Sequence, residues 1–266
     1  MFWRLKESVV AVGESTVDYA VFGKGKKPLV IIPGLTLKDV KGAGVGLALM
    51  YRIFAKEYRV YVLDKKKDIP SSCTVSDLAN DTALAMRALG ISDAYVLGVS
   101  LGGMIAEELA IEHPELVKKL VLAVTASRTN EVIQSVVGNW ISLAEKGDFG
   151  GIVMNMLDVM YSEKYRKRYK WLLPVLARLA KPCSEERFIS LAKACLTCTA
   201  YDRLSKIKAK ALVLGGADDK IVTAEASLEI AEALACEVHL YDGLGHAAYE
   251  EAKDFNLRIK RFFSEE

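Results

Sequence analysis

Short, mostly apolar runs alternate along this chain with segments of helical periodicity, and that alternation narrows the fold more than any other feature. The runs are Leu29–Ile32, Arg59–Leu63, Ala94–Val99, Leu120–Val124, Ala211–Leu214 and Glu237–Tyr241. A strand with one face in water alternates apolar and polar residues, whereas most of these runs do not. Both of their faces are therefore expected to be buried, as in a parallel sheet covered by helices on each side. The intervening segments supply the helices: Val45–Glu57, Ser76–Leu89, Leu101–Glu112, Ala224–Ala235 and one near Lys253–Phe263. Ser76 reads as an N-cap, Gly90 as a C′ residue and Pro114 as a stop. Ahead of them, Ser8–Val12 and Thr16–Phe22 read as an antiparallel hairpin around Gly13-Glu14.

The rhythm stops near Ser127 and resumes at Ala211. Residues 128–205 read as helical throughout, with Trp140, Met154, Met156, Met160 and Trp171 among the apolar positions. A helical insertion between two sheet strands is expected to cover the strand ends. The division is then a core of residues 1–127 and 206–266 with a helical cap of residues 128–205. At 266 residues, 52% of them hydrophobic and 26% charged, the chain can bury a sizeable core.

The formal charge of +2 gives no concentrated basic surface for nucleic acid. The basic cluster Lys164–Lys170 alternates with tyrosines and reads as the solvated face of a helix. The five cysteines include one C-x-x-C, Cys195 and Cys198, with no second pair and no histidine nearby. Zinc needs about four ligands, so buried reduced thiols are expected. The sequence start, MFWRLKESVV, carries charge too early for a signal-peptide core, and no run is long enough to span a bilayer. A cytoplasmic protein acting on a small molecule, without metal or cofactor, is the expectation.

Gly98-Val99-Ser100-Leu101-Gly102 carries the chemistry. A G-x-S-x-G match alone is weak, but this one follows an apolar strand and opens an amphipathic helix, the setting of a nucleophile elbow. Side chains two residues either side of so tight a turn would collide with it, which Gly98 and Gly102 avoid. Gly103 is expected to let the helix approach the sheet closely. A serine hydroxyl is unreactive at neutral pH without a base. Three histidines are available. His113 ends the helix after the elbow and lies a helix length away, and His239 sits inside a strand. His246 follows the last strand in a glycine-flanked loop, at the carboxyl edge where the elbow also lies. His246 is the base. An orienting carboxylate is needed in turn. Asp218 and Asp219 follow strand Ala211–Leu214, and Asp242 precedes the histidine loop.

In these respects nearly the whole chain resembles the α/β-hydrolase superfamily. The resemblance rests on GVSLGG at 98–103, GADDKIV at 216–222 and GLGHAAYEE at 243–251, in the order nucleophile, acid, histidine. It implies an α/β-hydrolase fold: a mostly parallel twisted sheet with an N-terminal hairpin, helices on both faces and a cap. It selects Asp219 as the acid and the backbone amides of Leu35 and Leu101 as oxyanion donors. Where the family commonly has His-Gly after its first parallel strand, this chain has Pro33-Gly34-Leu35. The implied activity is hydrolysis of a small, apolar ester, thioester or lactone through an acyl-enzyme. Carbon–carbon bond hydrolysis and cofactor-free perhydrolysis use the same triad, and some members of the fold are binding proteins.

Gly42-Ala43-Gly44-Val45-Gly46 with Asp64 gives a faint dinucleotide pattern, but the glycines do not follow a strand directly, as that fingerprint requires.

Overall fold

The computed structural model describes residues 4–169, 171, 175 and 182–265. Lys170, at the end of the basic cluster, and the first three residues of the N-terminal segment lie outside the described residues, as does much of 172–181.

Eight strands form one sheet: β1 (Lys6–Val12), β2 (Ser15–Phe22), β3 (Lys27–Ile32), β4 (Tyr58–Lys66), β5 (Ala94–Val99), β6 (Val117–Ala123), β7 (Lys210–Gly216) and β8 (Glu237–Tyr241). Their spatial order is β1-β2-β4-β3-β5-β6-β7-β8. The first two strands form the antiparallel hairpin, β2 pairs antiparallel with β4, and every later pairing is parallel. Helices α1 (Gly44–Met50), α2 (Val75–Ala88) and α3 (Leu101–Glu112) link the central strands. Among the described residues, four more, α4 (Glu131–Glu145), α5 (Phe149–Met160), α6 (Glu163–Tyr169) and α7 (Glu185–Cys195), lie between β6 and β7. Helices α8 (Ala224–Leu234), α9 (Ala248–Glu251) and α10 (Phe255–Ser264) complete the chain.

Burial explains the unbroken apolar runs. On one face Val30, Ile32, Val96, Leu120, Leu122 and Val213 pack with α2, α3 and α8. On the other, Leu29, Ile31, Leu97, Val121, Leu212 and Leu214 pack with Ala48 of α1 and Phe255, Ile259 and Phe263 of α10. Successive residues along β3, β5, β6 and β7 feed opposite cores, so neither face of these strands can be polar, whereas β8 at the sheet edge stays half-exposed up to Tyr241.

The chain leaves β3 toward β4 on one side, then returns past β3 to β5 on the other. Beyond the carboxyl ends of β3 and β5 the sheet therefore has a topological switch point, where open α/β sheets hold their ligands.

Several boundaries differ from the sequence reading for local reasons. Helix α2 begins after Thr74, not Ser76: the Thr74 hydroxyl accepts the Asp77 amide and the Asp77 carboxylate accepts the Thr74 amide, a capping box. At its other end Gly90 takes φ +66°, as a C′ glycine does. The expected helix Val45–Glu57 is α1 followed by a single 3-10 turn, Arg52–Phe54. Strand β4 runs past Leu63 through Asp64, Lys65 and Lys66, three charged residues whose partners lie far along the chain. Within the described part of 128–205, pairing is limited to one isolated bridge, Arg128 with Thr199.

Cys195 and Cys198 are buried free thiols. Burial pushes Cys195 up to about 12 and holds Cys198 well above the usual thiol range. Among the described residues no cluster of side chains could hold a metal ion, and no helix is long and apolar enough to cross a membrane. The basic helix α6 presents exposed side chains, with Lys167 paired to Glu163 and Arg166 to Asp158.

Candidate active site

Ser100 sits between β5 and α3 with φ 55° and ψ −122°, backbone angles that L-residues rarely adopt. Four hydrogen bonds fix it there. Its amide donates to the Ala123 carbonyl at 2.9 Å, and its own carbonyl accepts the Thr125 hydroxyl and the amides of Gly103 and Met104.

The glycines leave space that no side chain could share. A Cβ on Gly98 would lie 2.4 Å from the Gly102 carbonyl oxygen, and one on Gly102 would lie 1.9 Å from that of Ile32. Gly103 lies close against β5, its Cα 2.7 Å from where a Cβ on Gly98 would stand, and a Cβ on Gly103 itself would meet the Thr125 side chain at 2.5 Å.

His246 arrives from the loop after β8 and Asp219 from the loop after β7. The two loops press together: Asp218 donates its amide to the Leu244 carbonyl, and a Cβ on Gly216 would lie 2.2 Å from the Gly245 carbonyl oxygen. His246 Nδ1 is 2.8 Å from Asp219 Oδ2, and Nε2 is 2.9 Å from Ser100 Oγ. An ionised carboxylate only accepts, so Nδ1 carries the proton and Nε2 is left to accept from the serine hydroxyl. Asp219 and His246 are 7% and 3% exposed, so this relay is shielded from water. Burial alone would raise the Asp219 carboxyl. The facing imidazole of His246 and the amides of Ile221 and Val222 overturn that and hold it below its ordinary value.

The other candidates lie elsewhere. Asp218 and Asp242 are exposed. His113 bonds Arg87 and Asn80 on the surface, and His239 stacks edge-on against Tyr241. Asp64 is engaged by the amides of Val40 and Lys65 and by Arg187.

A cavity of about 180 Å³ opens over Ser100. Pro33, Gly34 and Leu35 from the loop after β3 form one wall, and Trp140, Met156 and Met160 of α4 and α5 form another. Leu35 is thus at the cavity wall, and Leu101 is the first residue of α3, whose opening amides have no helical carbonyl to bond. Among the described residues the lining includes the carboxyl of Glu250, which accepts the Tyr161 hydroxyl at 2.7 Å. Beside it Ser162 donates through its amide and hydroxyl to Glu251, and the Ala247 amide donates to the Met160 carbonyl. The end of α5 is in this way bolted to the residues following His246.

The sequence reading missed a buried polar cluster behind the Pro33 turn. Lys65 Nζ donates to the carbonyls of Pro33 and Gly34, while Arg187 of α7 bonds Asp39, Asp64 and the carbonyls of Lys65 and Lys66. Its signal was three successive charged residues at the carboxyl edge of an apolar strand.

Residues 27–253 match the family model of the alpha/beta hydrolase fold. The chain is 29% identical over 284 aligned residues to a 2-hydroxy-6-oxononadienedioate/2-hydroxy-6-oxononatrienedioate hydrolase of Paraburkholderia phymatum, covering 95% of this chain and 92% of the relative. It is also 29% identical over 234 residues to a 2-hydroxy-6-oxo-6-phenylhexa-2,4-dienoate hydrolase of Burkholderia cepacia, covering 81% of each. Among solved structures, the enol-lactonase of Burkholderia xenovorans superposes with a TM-score of 0.84 at 21% identity, covering 97% of this chain and 100% of that one. Given the matched model, the relatives and the sheet order, this chain belongs to the α/β-hydrolase family and is a hydrolase of that type acting on a small molecule.

Proposed function

We propose that this protein is a serine hydrolase that cleaves a small, apolar carboxylic ester, with residues 128–205 acting as a cap over the site. Ser100 is the nucleophile, His246 the base, Asp219 the orienting acid, and the amides of Leu35 and Leu101 the oxyanion donors. The observation that carries this reading is the relay of 2.8 and 2.9 Å hydrogen bonds from Asp219 through His246 to Ser100. The relay ends at the floor of a largely apolar cavity.

In the first half-reaction His246 Nε2 takes the Ser100 proton as Oγ attacks the ester carbonyl carbon. The carbonyl oxygen gains negative charge and is held by the two amides. When the intermediate collapses, the carbon–oxygen bond to the alcohol breaks and His246 protonates the departing oxygen. Water then repeats the sequence on the acyl-enzyme, giving its proton to His246 and releasing the acid with Ser100 restored.

The cavity's volume lies below the 300–1,000 Å³ of drug-sized pockets, which favours a short acyl chain. A second reading comes from the relatives whose names give 6-oxo dienoate substrates. A ketone has no ester bond, so hydrolysis there would break a carbon–carbon bond. The Glu250 carboxyl in the lining favours a neutral ester over substrates of that kind, each of which carries at least one carboxylate.

The test is kcat/KM for p-nitrophenyl acetate, butyrate and octanoate beside a 2-hydroxy-6-oxo dienoate. The proposal expects the short esters to be best. A dienoate preference above about a thousandfold would establish the second reading instead. Turnover of neither class would end both.

A further inference from the structure

Continuing the β3–β4 register from Ile31 opposite Val62 by three residues places Lys65 beside Gly34. The side chain is 6% exposed and its ammonium donates to the carbonyls of Pro33 at 2.6 Å and Gly34 at 2.7 Å. Those carbonyls belong to the two peptide groups of the turn that carries the Leu35 amide. We infer that Lys65 is the positioning residue of the oxyanion hole, acting by locking the orientation of the Pro33–Leu35 turn from behind. The inference rests on the serine-hydrolase reading above.

In a trans peptide the carbonyl and the next N–H point in opposite directions. Tying the Gly34 carbonyl to Lys65 therefore turns the Leu35 N–H away from Lys65. The loop it belongs to lines the cavity over Ser100, and a Cβ on Gly34 would lie 3.6 Å from Ser100 Oγ. Rotation of that peptide would remove a donor from the reacting carbonyl. An ammonium on the peptide oxygen also polarises the group, which strengthens its N–H as a donor. Pro33 has no N–H and cannot anchor the turn through one of its own. Here the anchoring comes from the adjacent strand.

The lysine is held where its charge is sensitive to pH. Burial lowers its ammonium to about 8; Asp64 of β4 and Cys195 of α7 oppose this, and Arg187 of α7 adds to it. Loss of the proton as pH rises through 8 removes the positive charge behind the turn. The kcat of wild-type ester hydrolysis is therefore expected to fall above about pH 8, because the oxyanion forms in the transition state and not on substrate binding.

The experiment measures kcat and KM for p-nitrophenyl acetate from pH 6 to 10 in the wild type and in Lys65→Met. At pH 7 the variant should lose about 100-fold in kcat, with KM within about threefold, and its alkaline decline should vanish. Wild-type activity combined with an unchanged kcat in the variant would overturn the role of Lys65 and leave the serine-hydrolase reading standing. A wild type inert toward esters would overturn both. If the variant does not fold, the wild-type profile decides: a kcat constant from pH 7 to 10 rejects the inference.

Discussion

Gly102 lies so close to Ile32 that a Cβ on it would come within 1.9 Å of the Ile32 carbonyl oxygen. The first turn of α3 and the end of β3 therefore share one contact surface, and through it the elbow bearing Ser100 is set against the turn bearing Leu35. Gly102→Ala cannot be absorbed by a side-chain rotation, because the obstacles are the backbone atoms of Ile32 and Pro33. We expect kcat to fall at least 100-fold and stability by about 1–3 kcal/mol. Ester kinetics together with urea unfolding would measure the two effects separately.

Asp219 and Asp218 are adjacent, yet Asp219 is buried against His246 and Asp218 is exposed. Asp219→Asn replaces an acceptor by an amide that can present N–H to Nδ1, favouring the wrong imidazole tautomer. The kcat should fall on the order of 10⁴-fold. Asp218→Asn should remain within about twofold of wild type, and equal losses in the two variants would contradict the assignment.

Glu107 on α3 is fully buried, accepts the Ser127 hydroxyl through Oε1 and leaves Oε2 without a partner among the described residues. Burial raises its carboxyl to about 8, against the Ser127 hydrogen bond, with Glu108 adding to the rise. A carboxyl raised on folding binds more protons folded than unfolded between its two pKa values. Its contribution to stability is present below the unfolded value near 4.5 and is lost as pH rises through 8. Glu107→Gln should therefore gain on the wild type as pH rises, by about 2–4 °C in Tm for each kcal/mol at pH 9. Thermal melts from pH 5 to 9 check this, and a constant Tm difference between the two proteins would refute it.

Arg187 joins α7 to the core through four acceptors, among them the Asp64 carboxylate. Arg187→Met should destabilise the protein by about 3–5 kcal/mol, since Asp64 and the Lys65 carbonyl stay buried without it. It also removes a cation that lowers Lys65. The alkaline fall in kcat should then move to higher pH, and a pH–rate profile unchanged from the wild type would contradict that coupling.

Legibility in the sequence followed the range of the interactions. Ala94–Val99 was readable to the residue through its burial on both faces, Leu101–Glu112 through the glycine turn before it and the proline after it, and Glu237–Tyr241 through the glycine turn that follows it. Ser100 and His246 stood out because each follows a strand's carboxyl end in a glycine-rich turn, whereas the choice of Asp219 over Asp218 and Asp242 rested on the family resemblance. Lys65 was not. Asp64-Lys65-Lys66 looks like a solvated loop until Arg187, over 120 residues away, and the carbonyls of Pro33 and Gly34 close around it. The start of α2 was misplaced by two residues because a serine two positions inside the helix masked Thr74 and its partner Asp77.

The central claim, that Ser100 is the nucleophile, is tested most directly by mass spectrometry of the intact protein after exposure to a fluorophosphonate. The wild type should gain one phosphonyl adduct, mapped by peptide digestion to Ser100, and Ser100→Ala should gain none. An adduct forming on Ser100→Ala at the wild-type rate, or none on a folded wild type, would contradict the account.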